Sequence, residues 1–217
     1  LIEAYGITEC APALTMNLPN EKNKGVGRPL KGVEIIIVHP DTQKPLPQGS
    51  DGLILAHGDN IFSGYLGYQT KSPFVTVEGK MWYNTGDIGN LDEDGFLTIS
   101  GRLKRFVKIG GEMISLGAIE EALLEVATQQ GWPQPEEGPP FAICAREVEG
   151  ERPQLILLSR IPLRLEIVNA SLRAIGFSNI SKITHIIEVD DIPMTGTGKV
   201  QHRKLQEMVN NKEFSCN

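Results

Sequence analysis

Gly101-Arg102-Leu103-Lys104-Arg105-Phe106-Val107-Lys108-Ile109-Gly110-Gly111-Glu112-Met113-Ile114-Ser115-Leu116 is where the character of the chain changes. Phe106–Ile109 and Glu112–Ser115 are short strand-like runs joined by a glycine pair, a pattern that predicts a tight β-hairpin. Leu116, Ile119, Leu123 and Val126 then share one helical face, with Ser115 placed to cap its start. Gln130 to Pro140 is too rich in Pro and Gly for a helix or a central strand and reads as a loop. Two strands are expected near Phe141–Ala145 and Gln154–Leu158. A second helix would carry Leu165, Val168, Leu172 and Ile175 on one stripe and stop at Gly176. A strand near His185–Val189, a Gly-Thr-Gly-Lys loop and a short helix from Gln201 to about Val209 complete this half.

Upstream the pattern is different. Residues 17 to 100 read as β-rich, with short apolar runs at Val33–Val38, Gly52–Ala56 and Phe96–Ser100. Turn clusters at Pro40-Asp41, Pro45–Gly49 and Asp92–Gly95 separate them, which suggests a small barrel or distorted sheet. The expected fold class is therefore α+β. A β-rich, barrel-like piece over residues 1–102 is followed by a small α+β domain over 103–217, a normal domain size.

Composition excludes several classes. The chain has 217 residues, 40% of them hydrophobic and 22% charged, as in ordinary globular proteins. A net charge of −6 argues against a general nucleic-acid or anionic-membrane binder. No apolar run approaches the roughly 20 residues needed to span a bilayer. Cys10, Cys144 and Cys216 are scattered and lack metal-type spacing, so reduced thiols in a cytoplasmic protein are expected. The four histidines likewise show no ligand spacing. Only seven residues precede Thr8, and the chain reads as the carboxy-terminal portion of a longer protein.

Four motifs stand in order along the chain: Tyr5-Gly6-Ile7-Thr8-Glu9, Tyr83-Asn84-Thr85-Gly86-Asp87, the stretch from Gly101 to Lys108, and Pro193-Met194-Thr195-Gly196-Thr197-Gly198-Lys199. The last is rich in Gly and Thr, so its backbone could approach an anion closely, with Lys199 supplying a cation. It is no Walker A loop, because Pro193 and Val200 stand where that motif needs Gly and Ser or Thr. A surface turn with a solvated lysine is the alternative. Glu9 is a hard carboxylate suited to Mg²⁺, which takes one or two carboxylates plus phosphate oxygens. Asp87 is a natural bidentate acceptor for two ribose hydroxyls, and otherwise caps a turn. Arg102 carries a planar fork suited to ribose or phosphate, or to a surface salt bridge.

Together the four motifs resemble the adenylate-forming superfamily of acyl-CoA synthetases, peptide-synthetase adenylation domains and luciferases, over essentially the whole chain. The resemblance implies ATP and Mg²⁺ as cofactors and a carboxylate activated as an acyl-adenylate, then passed to a thiol. It implies Lys199 as the adenylation lysine, Thr8 on the α-phosphate, Glu9 on the metal, and Tyr5 and Gly6 beside the adenine. Asp87 and Arg102 would serve the ribose and phosphate. Lys104 would be the hinge of a mobile lid, which swings Lys108, Gly110 and Gly111 to the thiol in a second half-reaction. The phosphate-gripping loop of the family lies outside this sequence. Asn84 and Ala118 depart from the family pattern, which usually has Arg and often has Glu there.

Tyr5–Pro12 and Gly101–Leu116 look in particular like the bacterial acyl-acyl-carrier-protein synthetases, including the bifunctional 2-acylglycerophosphoethanolamine acyltransferase/acyl-carrier-protein synthetases. That likeness implies a fatty acid substrate, acyl carrier protein (or CoA) as acceptor, and a parent associated with the inner membrane. Lys104, Arg105 and Lys108, with Arg160, Arg164 and Arg173, are candidate docking cations for an acidic carrier protein. A medium- or long-chain acyl-CoA synthetase and a non-catalytic carrier-binding module are the alternatives; an intact Lys199 and Asp87 argue against the latter.

Overall fold

The computed structural model describes residues 2–19, 22–66, 72–147 and 150–210; Cys216 lies outside them. The chain divides into two compact units, Leu1–Lys104 and Arg105–Asn217. The architecture is mixed α+β and sheet-rich, with a curled half-barrel sheet.

In the first unit β1 (Ala4–Gly6), β2 (Ala13–Met16) and β3 (Arg28–Pro29) form a small antiparallel sheet. A 3₁₀ turn, Thr8–Cys10, separates the first two strands. β4 (Val33–Val38), β5 (Gly52–Gly58), β6 (Phe74–Val77), β7 (Lys80–Leu91) and β8 (Leu97–Arg102) make a five-stranded antiparallel sheet. β7 is its spine: β5 runs along one edge, while β6 and then β8 pair with the other. Leu14, Ile35, Ile37, Ile54, Ala56 and Leu97 are buried between the two sheets' facing residues, which is what their alternating apolar pattern demands.

The alternative in which Asp87 caps a turn is corrected by β7, a continuous strand of 12 residues that contains Tyr83–Asp87. Its register with β5 passes from Leu55↔Asn84 to Leu53↔Ile88, so Thr85, Gly86 and Asp87 bulge opposite Ile54 alone. Gly86 sits at φ +72°, a conformation that side chains resist. The Thr85 hydroxyl repairs the interrupted ladder by donating to the Ile54 carbonyl at 2.8 Å and accepting the Asp87 N–H at 3.1 Å.

A 3₁₀ turn, Leu103–Arg105, carries the chain out of the first unit, and the second begins with the hairpin of β9 (Phe106–Ile109) and β10 (Glu112–Ser115). Gly110 and Gly111 at φ +60° and +90° supply the two left-handed residues of its turn. α1 (Leu116–Gln129) is capped by the Ser115 hydroxyl, which accepts the Ala118 N–H at 3.2 Å. β11 (Phe141–Arg146) pairs antiparallel with β12 (Gln154–Ser159), and β12 pairs parallel with β13 (Ile183–Glu188) across α2 (Leu165–Ala174). Ile143, Leu155 and Leu157 face α1 and α2, while Ala142, Cys144, Ile156 and Leu158 face α3 (His202–Asn210). Both faces of this sheet are covered, so its strands read as unbroken apolar runs. The expected stripe of α2 stops short. Ile175 is the C-cap residue, 46% exposed, and Gly176 follows at φ +95°.

A polar hub binds the start of this unit to its body. Arg105 Nη1 donates to the Ile143 carbonyl at 2.8 Å, and Arg105 Nη2 stands 2.5 Å from Glu120 on α1. Glu120 in turn accepts the Ile143 N–H at 2.5 Å. Burial and then the neighbouring Arg105 push the His202 imidazole down from 6.5 to about 4. The unfolded chain therefore takes up this proton below pH 6.5, and the folded chain only near pH 4. Stability from the neutral ring is complete above the upper value and lost as pH falls towards the lower one. Thermal melts at about pH 7 and about pH 5 should differ in wild type, and His202→Gln should narrow the gap by a few degrees. An unchanged gap would assign the acid sensitivity to other groups.

Candidate active site

The bulge in β7 shapes a buried polar group in the first unit. Asp87 is 3% exposed, yet both its oxygens are engaged. The Tyr5 hydroxyl donates to Oδ2 at 2.5 Å, and Arg102 Nε pairs with Oδ1 at 2.9 Å. Arg102 reaches its place because its backbone pairs with that of Asp87 across β7 and β8. Its Nη1 also donates to the Thr85 carbonyl at 3.2 Å. Burial raises the Asp87 carboxyl against the opposing pull of Tyr5 and Arg102. Burial, then the same carboxylate, raises the Tyr5 hydroxyl far above its usual value, so it stays a neutral donor. Asp87 is thus a desolvated acceptor for hydroxyl donors, backed by a guanidinium that is 57% exposed and open to an anion. A ribose hydroxyl is the same kind of donor as the phenol it would replace.

Around the 3₁₀ turn, Thr8 is exposed and Glu9 half-buried. Tyr65 donates to Glu9 Oε1 at 2.5 Å; this bond, and at longer range Arg102, hold the Glu9 carboxyl below the usual range. Phe62 N–H donates to the Glu9 carbonyl at 2.8 Å. Asn60 Nδ2 donates to the carbonyls of Cys10 and Ala13, at 2.7 and 2.9 Å. Among the described residues no cluster of three His, Cys, Asp or Glu could hold a metal by itself. A cation on Glu9 would complete its shell with phosphate and water oxygens, which is the way Mg²⁺ binds. Gly6 has a structural reason to be glycine. A Cβ there would lie 1.9 Å from the Pro12 carbonyl oxygen, at the irregular pairing of β1 with β2.

The second unit carries the remaining candidates. Thr195 N–H donates to the Lys199 carbonyl at 2.7 Å, Gly198 N–H to the Thr195 carbonyl at 2.9 Å, and Lys199 N–H to the Thr195 hydroxyl at 3.1 Å. The N–H groups of residues 195, 198 and 199 are therefore committed inside the loop, contrary to the expectation that they would face an anion. The loop is a stiff turn closed by the Met194↔Val200 bridge, with Gly198 at φ +78°. What it presents outward is the exposed Lys199 side chain. Lys108 lies on the exposed face of β9 across from Met113, and a Cβ at Gly110 or Gly111 would meet nothing within 4 Å. Lys104 is exposed and ends the first unit.

The structure joins Tyr5, Asp87 and Arg102 directly and sets Glu9 within reach of the Arg102 field. It adds Tyr65, Phe62 and Asn60, which sequence reasoning missed. Their partners lie about fifty residues away in the chain, and no spacing rule announces them.

Residues 1–66 match the family model of the AMP-binding enzymes. The chain is 30% identical over 216 residues to the medium-chain fatty-acid–CoA ligase of Escherichia coli (strain K12), covering 95% of this chain and 36% of that protein. It is 30% identical over 213 residues to the oxalate–CoA ligase of Saccharomyces cerevisiae, covering 95% and 37%. Among solved structures, ATP-bound MatB from Rhodopseudomonas palustris matches with a TM-score of 0.75 and 28% identity, over 97% of this chain and 41% of that one. The chain thus spans little more than a third of the length of the curated relatives it matches. With the strand, bulge and loop geometry above, these likenesses support the AMP-binding enzyme family of the adenylate-forming superfamily.

Proposed function

We propose that the chain is the carboxy-terminal part of an ATP-dependent acid–thiol ligase acting on a fatty acid. The observation that carries this reading is Asp87, buried in a strand bulge with Tyr5 and Arg102 on its two oxygens. Such a carboxylate, already stripped of water, suits a pair of ribose hydroxyls.

In the first half-reaction a carboxylate oxygen of the fatty acid attacks the α-phosphorus of ATP and pyrophosphate leaves, giving acyl-adenylate. Asp87 holds the ribose hydroxyls, Tyr5 and Gly6 line the base, and Arg102 and Thr8 meet phosphate oxygens. Glu9 holds Mg²⁺, which supplies neutralising charge on the phosphates when bound. Lys199 bridges the carboxylate and α-phosphate, where two anions must meet; positioning and positive charge are most of what such a transfer needs. In the second half-reaction a thiol attacks the acyl carbon and AMP leaves, with Lys108 and the open Gly110-Gly111 turn at the thiol. Lys104 is the hinge between the two.

The acceptor we favour is acyl carrier protein, with the acyl group passed on to reacylate 2-acylglycerophosphoethanolamine in the whole protein. Its support is the Lys-Arg-Phe-x-Lys run and the exposed cations Lys104, Lys108, Arg164 and Arg173. Two expected docking residues are withdrawn: Arg105 is 14% exposed and tied to Glu120, and Arg160 is 20% exposed and donates to the carbonyls of Glu137 and Asp190. CoA is the second reading, favoured by relatives that are CoA ligases. The test is kcat/KM for carrier protein and for CoA in the whole protein, with Arg164→Glu/Arg173→Glu beside wild type. Charge reversal should impair carrier-protein transfer about tenfold and weaken its salt dependence, leaving adenylation unchanged. Equal use of CoA, with no effect of reversal, would make CoA the acceptor.

A further inference from the structure

We propose that Tyr65 is the positioning residue for the Glu9 carboxylate, fixing the direction in which Glu9 offers its second oxygen to Mg²⁺; this rests on the reading of Glu9 as the metal ligand. Tyr65 lies in the connection between β5 and β6, and its hydroxyl donates to Glu9 Oε1 at 2.5 Å. A glutamate side chain has three rotatable bonds, and a half-buried one can point its oxygens in many directions. A bond to one oxygen removes most of that freedom and leaves Oε2 presented. Mg²⁺ demands near-ideal octahedral geometry, so a ligand held in place counts for more than with a tolerant ion.

The brace is itself held. The Tyr65 ring stands edge-on to Phe62, with centroids 4.8 Å apart and planes at 71°. Phe62 donates its N–H to the Glu9 carbonyl and packs edge-on against Tyr83 of β7, centroids 5.7 Å apart. One short segment therefore grips both the backbone and the side chain of Glu9. Asn60, at the head of that segment, ties down the carbonyls of Cys10 and Ala13 on the far side of the same turn. Tyr65 is 51% exposed, more than an aromatic residue serving only the core would be. Its packing on Phe62 uses the ring, whereas its hydroxyl serves Glu9 and also meets Tyr83, so Tyr65→Phe removes the hydroxyl contacts while keeping the ring packing. Outer partners that orient a metal ligand commonly contribute about 10–100-fold in metal affinity.

The experiment measures Mn²⁺ binding by the whole protein in the presence of ATP, with the fatty acid withheld so that no turnover occurs. Water-proton relaxation reports the bound ion in wild type, Tyr65→Phe and Glu9→Gln, and melting curves verify that each variant is folded. Tyr65→Phe should raise the Mn²⁺ dissociation constant about tenfold, and Glu9→Gln at least as much. Weakened binding in Glu9→Gln with wild-type binding in Tyr65→Phe would overturn the positioning role while leaving Glu9 as the ligand. Unchanged binding in both would overturn the metal role of Glu9 and the inference with it.

Discussion

Lys104→Pro in the whole protein should leave acyl-adenylate formation within a few-fold of wild type and lower thioester output by about 10²-fold or more, the penalty expected when reacting groups are no longer brought into register. The reason is how little of the chain between the two units can turn. On the amino-terminal side Arg102 is fixed, because its backbone pairs with Asp87 in β8 and its guanidinium pairs with the same residue's carboxylate. On the carboxy-terminal side Arg105 is fixed by Glu120 and the Ile143 carbonyl, so it moves with α1 and β11. Leu103 and Lys104 are left to absorb any change in direction. Lys104 is exposed and lies in a 3₁₀ turn, where φ falls near the value that proline imposes. Proline there should be accommodated, yet it removes the φ rotation on which a swinging lid depends. Lys104→Ala keeps that rotation and should retain both half-reactions. Wild-type thioester output from Lys104→Pro would move the hinge elsewhere, and equal loss of both half-reactions would mean that the variant had disturbed the fold.

Most of the second unit is legible from sequence because its signals are local. Phe106 to Val126 contains two short runs, a glycine pair, a capping serine and a helical stripe, each of which decides a conformation with its immediate neighbours. The first unit hides its central strand. Lys80–Leu91 mixes Asn, Thr, Gly and Asp into one stretch, and Gly86 reads as a turn when it in fact serves a bulge. Only pairing with β5 on one side and with β6 and β8 on the other makes that stretch a strand, and such long-range pairing leaves no local mark. The same limit applies to charge. Arg105, in a run with Lys104 and Lys108, looks like a surface cation until α1 and β11 close over it. Candidate chemistry at Asp87, Glu9 and Lys199 was readable as residue types in motifs. The hydroxyl of Tyr65 on Glu9 was not, because the fold alone brings them together across 56 positions.

The larger effect is expected at Lys199. It stands on a turn made stiff by hydrogen bonds among Thr195, Gly198 and Lys199 themselves, so the side chain is presented from a fixed base while remaining exposed. In the proposed adenylation step it is the cation that lets the fatty-acid carboxylate approach the α-phosphate. Removing one such preorganised donor commonly costs about 10²–10³ in rate. In the proposed second step, thiol attack on an acyl-adenylate already made would call instead on Lys108 and the Gly110-Gly111 turn, a separate element of the same unit. The decisive comparison is therefore Lys199→Ala against wild type in the whole protein, by two assays side by side: fatty-acid-dependent ATP–pyrophosphate exchange, and thioester formation from supplied acyl-adenylate. A loss of about 10²–10³ in exchange with transfer largely preserved is the result predicted. Exchange that survives intact, or both assays falling together, would contradict the assignment of Lys199 to adenylation and of the two steps to separate residues.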